Sequence, residues 1–274
     1  MLDRARQLQP KLVEIRRHIH AHPELGFREV QTSQYVSNQL NALHVEHQRG
    51  VARTGIVATL GDGSGPVVAL RADMDALPIE EANDVPYKSQ TPGVMHACGH
   101  DAHTAMLLGA AELLAQERLH GTVKLIFQPS EEGGSEDTSG GFLMVKEGVL
   151  DDVEAIWGIH VGSGEPSGKI FVGDGAINAA ADSFYGSVIG MGGHGAFPHR
   201  ALDAVWLTSF VLPAIYGIVP RRIDPTRQAV ISVGTISAGT ATNILPPKVD
   251  LSGTIRSFEP EVRQQLHDEL ERAF

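Results

Sequence analysis

Apolar positions change their period along this chain, and each change predicts an element. From residue 3 to about 21, Leu8, Leu12, Ile15 and Ile19 recur at spacings of three and four, which is the spacing of one helix face. His22-Pro23-Glu24-Leu25-Gly26 then breaks the helix, and a second helix is expected over about 30–43. The pattern shortens to compact apolar runs at 56–60 and 67–70, separated by Gly61-Asp62-Gly63-Ser64-Gly65-Pro66, which reads as two strands and a turn. Residues 104–119 are rich in Ala and Leu, with apolar positions almost all round, so a well-buried helix is expected there. Asp101 or Thr104 can cap its start. Runs at 123–129 and 153–160 read as further buried strands, with a short helix at 142–147 between them.

Beyond about residue 182 the organisation changes. A strand at 184–189 runs into Gly190-Met191-Gly192-Gly193-His194-Gly195-Ala196-Phe197-Pro198-His199. A helix is expected over 201–218, kinked or interrupted by Pro213. Strands at 229–236 and 249–257 follow, and 259–274 reads as a helix with Val262, Leu266, Leu270 and Phe274 on one face. This β-α-β-β-α order is a split βαβ unit without its last strand. The expected division is therefore an α/β domain over 1–182 and a smaller α+β domain over 183–274.

Composition narrows the function classes. A chain of 274 residues with 42% hydrophobic content can build an ordinary core. A net charge of −11, from 22 basic and 33 acidic residues, argues against nucleic acid and anionic membrane as partners. A single cysteine excludes an internal disulfide and fits a reducing compartment. Residues 1–10 lack an apolar signal core, and no apolar run reads as long enough to span a membrane, so a cytoplasmic protein is expected.

The chemistry concentrates in Met95-His96-Ala97-Cys98-Gly99-His100-Asp101-Ala102-His103, which contains that single cysteine. A thiolate, imidazoles and a carboxylate this close together suit zinc or another late divalent metal. Gly99 permits the sharp turn that aims Cys98 and His100 at one point, and the dipole of the following helix favours a thiolate at Cys98. Asp73 and Asp75, Glu131 and Glu132, and His160 each lie at or past the end of a separate predicted strand, where ligands bind in open α/β sheets. Of two adjacent carboxylates, one can bind a cation while its neighbour acts as a general base.

At these residues the chain resembles the M20 metallopeptidase family, and within it the amidohydrolase subgroup of N-acyl-amino-acid, hippurate and auxin-conjugate hydrolases. The matching motifs are His96-Ala97-Cys98-Gly99-His100-Asp101, Gln128-Pro129-Ser130-Glu131-Glu132-Gly133-Gly134, Trp157-Gly158-Ile159-His160, Gly192-Gly193-His194-Gly195-Ala196-Phe197-Pro198-His199 and Gly239-Thr240-Ala241-Thr242-Asn243-Ile244-Leu245-Pro246. The resemblance implies a zinc-peptidase-like mixed sheet flanked by helices, interrupted by a smaller dimerisation or lid domain, and a homodimer formed through that lid. It implies two divalent metal ions, Zn²⁺ or Mn²⁺, with Cys98 as the bridge and His100, Glu132 and His160 as terminal ligands. Glu131 would be the general base. His194, reaching across a dimer, would face the transition-state oxygen, while Asn243 and Arg256 would hold the substrate.

The family supplies a last metal-ligand histidine after the lid, and the matched motif order stops before it, so a truncated chain is expected. Two readings compete: a metal-dependent hydrolase of N-acyl amino acids or related amides, and a catalytically incomplete fragment or non-catalytic dimerising paralogue. A zinc nucleobase deaminase would need a Pro-Cys-x-x-Cys partner that a single-cysteine chain cannot provide.

Overall fold

The computed structural model describes residues 1–133, 138–164 and 166–274. Gly134, part of the quoted glutamate motif, lies outside the described residues. The chain forms two compact units, Met1–Pro166 and Ser167–Phe274. The boundary expected at 182/183 falls inside one continuous strand, Ala180–Ile189, that pairs along its whole length with Lys248–Ser257.

The first unit begins with helices α1 (Leu2–Ala21) and α2 (Val30–Ala42). Strands β1 (Glu46–Val51), β2 (Gly55–Gly61) and β3 (Val67–Asp73) follow, then helix α3 (His100–Leu114), strand β4 (Thr122–Gln128), helix α4 (Gly140–Lys146) and strand β5 (Ala155–Gly158). The sheet order is β1-β2-β4-β3-β5. β1 and β2 are antiparallel to their neighbours, whereas β4, β3 and β5 run parallel. The core gathers Ile15 and Ile19 of α1, Val36 and Leu40 of α2, Leu107 and Leu108 of α3, and Ile56, Leu125 and Phe127 of the sheet. The three-and-four spacing of α1 is thus satisfied by burial of Ile15 and Ile19, each contributing on the order of 1.5–3 kcal/mol.

Three expectations are corrected here. α3 starts at His100, four residues early, because Gly99 occupies the cap position in the left-handed conformation (φ 85°). Neither Asp101 nor Thr104 caps the helix: Asp101 bonds to His20, and the Thr104 hydroxyl donates to the Asp73 carbonyl. His100, Asp101 and His103 therefore occupy the first turn of a buried helix. β5 is not buried: among the described residues it pairs only with β3, at the edge of the sheet, and Ile156 and Trp157 are exposed.

The second unit contains β6 (Ala180–Ile189), the two-residue strand β7 (Gly193–His194), a short 3₁₀ turn at Pro198–Arg200 and helix α5 (Ala204–Arg222). β8 (Ala229–Ala238), β9 (Ile244–Leu245), β10 (Lys248–Ser257) and helix α6 (Pro260–Ala273) complete it. β6, β10 and β8 form an antiparallel sheet with β10 in the centre. Ile215 and Ile218 of α5 and Val262, Leu266 and Leu270 of α6 pack with Phe184, Ile231 and Ile255 of the sheet. Its other face leaves Tyr185 and Val230 exposed. The Asp203 carboxylate accepts the Val205 and Trp206 N–H groups at 2.9 and 3.1 Å, a cap contributing about 1 kcal/mol.

Pro213 does not interrupt α5, which runs through both Pro213 and Pro220. The carbonyl four residues before Pro213 belongs to exposed Ser209, where water can take the missing hydrogen bond. By length and composition α5 is apolar enough to match a membrane span, which the sequence reading missed. Ala204, Thr208, Ile215 and Ile218 are nevertheless buried within its own unit.

Candidate metal centre

Three parallel strands deliver the first unit's polar groups to one end of the sheet. Asp73 ends β3, opposite Gln128 at the end of β4; Ser130, Glu131 and Glu132 follow β4, and His160 follows β5. The first turn of α3 brings His100 and His103 to the same place. Among the described residues, three sets of donor atoms lie within 4.8 Å of one another: Cys98, His100 and His160; His100, Glu131 and Glu132; and Asp73, His100 and His103.

Hydrogen bonds decide which ring nitrogens are free to bind a metal. His160 Nδ1 lies 2.7 Å from the Val161 carbonyl, so it carries the proton and leaves the Nε2 lone pair 3.3 Å from Cys98 Sγ. His100 Nδ1 lies 3.2 Å from Asp75 Oδ1, which places the proton there. His100 Nε2 is then a buried lone pair with no hydrogen-bond partner among the described residues, facing Asp73, Glu131 and Glu132 oxygens at 3.7, 3.9 and 3.9 Å. A lone pair enclosed by three carboxylates is repelled from every side, and a divalent cation among them satisfies all four groups. His103 differs. Its Nδ1 donates to Asp73 at 2.6 Å and its Nε2 accepts the Val161 N–H at 2.9 Å, so both nitrogens are occupied and it serves as a support.

The electrostatics follow from this crowding. Burial opposes ionisation of Asp73, but the His103 hydrogen bond and the Arg71 guanidinium outweigh it, and the carboxyl sits at about 2. Burial, then Glu132 and Asp73, push the Glu131 carboxyl above its ordinary value, toward the range a general base needs. Burial pushes the Cys98 thiol up to about 12, with the nearby Glu132, Glu131 and Asp73 adding to it. The helix dipole expected to favour a thiolate is outweighed by these groups. A coordinated divalent cation reverses that balance, because a coordinating thiol is deprotonated outright.

A second polar layer lies behind the cluster, and sequence reading missed it. His20 Nδ1 bonds Asp101 at 2.8 Å and its Nε2 bonds Glu81 at 3.2 Å, while Arg16 pairs with Asp101 at 2.6 Å. The only sequence signal was the histidine-rich end of α1, His18-Ile19-His20-Ala21-His22. A cavity of about 760 Å³ beside Cys98 and His160 is lined partly by Arg16, Glu81, Tyr87 and His96.

In the second unit the expected residues are less tightly held. His194 pairs with Ile244 across β7 and β9, and the Gly195 N–H donates to the Asn243 carbonyl at 2.8 Å. His194 and Asn243 are thus neighbours. His194 Nδ1 accepts the Ala196 N–H at 3.0 Å, so the ring proton sits on Nε2, available as a donor. Arg256 lies on β10, bonded to the Thr254 hydroxyl and the Ile255 carbonyl, and among the described hydrogen bonds it meets neither His194 nor Asn243.

Comparison with known proteins shows the family of the chain. A profile of peptidase family M20/M25/M40 matches residues 69–274. Thermostable carboxypeptidase 2 of Saccharolobus solfataricus is 44% identical over 271 residues, covering 97% of this chain and 68% of that protein. The N-acyl-L-amino acid amidohydrolase of Geobacillus stearothermophilus is 42% identical over 272 residues, covering 97% of this chain and 72% of that one. The crystal structure of the Bacillus subtilis YXEP protein, described as a dinuclear metal binding peptidase from the M20 family, superposes with a TM-score of 0.80 at 35% identity. It covers 98% of this chain and 69% of that one.

Proposed function

The chain belongs to peptidase family M20/M25/M40, and from that premise we propose that it is a metal-dependent amidohydrolase cleaving the amide bond of N-acyl amino acids or related small amides. The observation that carries this reading is the buried His100 Nε2 lone pair among three carboxylates, with Cys98 and His160 beside it. Cys98, His100, Glu132 and His160 are the residues that would hold two divalent ions, Zn²⁺ or Mn²⁺. Divalent metal supplies Lewis-acid polarisation of the scissile carbonyl and brings the pKa of water from ~15.7 to roughly 7.

The chain's own residues do the rest. Glu131 takes the proton of the attacking water and returns it to the leaving amine nitrogen, a role its upward-shifted carboxyl suits. His194, reaching across the proposed dimer, donates its Nε2–H to the oxygen that gains charge at the tetrahedral stage, with its tautomer set by the Ala196 N–H. Asn243 and Arg256 hold the substrate. Asp75 orients His100, and the Val161 carbonyl orients His160. Retention of both adjacent glutamates beside Cys98 and His100 favours the catalytic reading over a non-catalytic dimerising protein.

Val205, Trp206, Phe210 and Tyr216 of α5 are half exposed, an apolar surface of the kind that marks a protein interface, and we assign it to a homodimer. A reducing compartment such as the cytoplasm keeps the Cys98 thiol available as a ligand. The test is hydrolysis of N-acetyl, benzoyl and indole-acetyl amino acids with added Zn²⁺ or Mn²⁺. Activity that Glu131→Gln lowers by about 10²–10⁴-fold at unchanged metal stoichiometry is expected. No activity at full metal occupancy contradicts the proposal.

A further inference from the structure

The Glu131–Glu132 turn is gripped on both sides of Glu131 by buried carboxylates, Asp75, which also bonds His100, and Glu29, which lies apart from the metal cluster. On one side the Glu132 N–H donates to Asp75 Oδ2 at 2.9 Å. On the other the Ser130 N–H donates to Glu29 Oε1 at 2.8 Å. Glu29 is fully buried, and its second oxygen accepts the Thr54 hydroxyl at 2.6 Å. It sits at the cap position of α2, yet its side chain makes no cap bond to that helix. Glu24 does that work, accepting the Gln31 and Thr32 N–H groups at 3.1 and 2.8 Å. Glu29 is thereby left to face the glutamate turn.

What it holds is a costly conformation. Ser130 has φ 44°, in the left-handed region that side chains with a Cβ avoid. Its other polar atoms are also fixed: the carbonyl accepts the Gly140 N–H at 3.0 Å, and Oγ donates to the Gly133 carbonyl at 3.0 Å. Gly26 lies so close that a Cβ there would come within 2.6 Å of Ser130 Oγ. Burial raises the Glu29 carboxyl above its ordinary value, against the hydrogen bonds it accepts. A carboxyl kept at that cost beside a strained turn has a job that an apolar residue cannot do.

We propose that Glu29 is a positioning residue: by holding the Ser130 N–H it fixes the left-handed turn and so sets where Glu131 and Glu132 present their carboxylates. This rests on the assignment of Glu131 as the general base. The test compares Glu29→Ala, Glu29→Gln and Glu131→Gln on the Co²⁺-loaded chain, reading kcat, KM and the visible Co²⁺ spectrum. Glu29→Ala is expected to lower kcat by about 10²-fold with little change in KM, the size of effect a misplacement of ~1 Å produces. It should also shift the Co²⁺ absorption, because Glu132 moves with the turn. Glu29→Gln should restore most of both, since its carbonyl still accepts the Ser130 N–H. Glu29→Asp keeps the carboxyl but withdraws it by one methylene, and it gives the same reading should Glu29→Ala not fold.

A lowered thermal midpoint with unchanged kcat and unchanged Co²⁺ spectrum overturns the proposal. If Glu131→Gln retains full activity, the base assignment fails instead, and the Co²⁺ spectrum of Glu29→Ala still decides whether Glu29 positions the turn.

Discussion

The two units hold their proposed functional groups in different ways. In the first, the exposed Glu131, Glu132 and His160 gather around a buried base: His100 is fully buried and Asp73 and Asp75 are each 1% exposed, every one locked by a partner from another element. In the second, His194, Asn243 and Arg256 are exposed, held by one or two bonds to nearby backbone or hydroxyl groups. The first unit thus builds a preorganised centre into its fold, where a change to one residue disturbs ligand geometry and stability together. The second presents donors from a turn and a strand, where a change removes a contact and leaves the fold intact.

Three substitutions can break or sharpen that contrast. The largest effect is expected from His194→Ala, which should lower kcat by about 10²–10³-fold while stability stays within about 0.5 kcal/mol. Steady-state kinetics and urea melts check this together, and a large stability loss would show that the second unit is not the independent presenter described. Asp75→Asn comes next. It disturbs both His100 and the Glu132 N–H, and calorimetry should show metal affinity lower by about 10–100-fold. Unchanged affinity would mean that the buried partners of the first unit do not orient its ligands.

The smallest effect is a pH slope from the second layer. The Asp101 hydrogen bond, opposed by burial and helped by Glu81, raises the His20 pKa above 6.5. The folded chain therefore binds this proton more tightly than the unfolded chain does. The resulting stabilisation is whole below pH 6.5 and fades as pH rises through the raised value. Urea midpoints should fall over that window in the wild type and fall less in His20→Gln. Parallel profiles would remove His20 from the buried network's energetics.

What could be read from the sequence was local. The α1 spacing, the run ending at Pro129 and the density of His96 to His103 each carry their signal within a few residues, and they pointed to the strand-end cluster. Where partners are distant the signal vanishes. Glu29 and Ser130 are 101 residues apart, and His20 and Asp101 are 81 apart. Neither pairing leaves a pattern along the chain. β1, Glu-His-Gln-Arg-Gly-Val, is an edge strand too polar to show an apolar run, and β7 and β9 are too short to show any period. The early start of α3 was hidden because a left-handed Gly99, not a polar side chain, begins it. Pro213 misled in the other direction, since an exposed carbonyl can lose its partner to water at little cost.

Metal binding through Cys98 is the claim on which the centre stands, and proton release on Zn²⁺ binding tests it most directly. A protonated thiol must give up its proton to ligate. Calorimetric titration at pH 7 in two buffers of different ionisation enthalpy should show the wild type releasing about one more proton per chain than Cys98→Ser, and binding Zn²⁺ more tightly. Equal proton release and equal affinity in the two proteins would contradict the account.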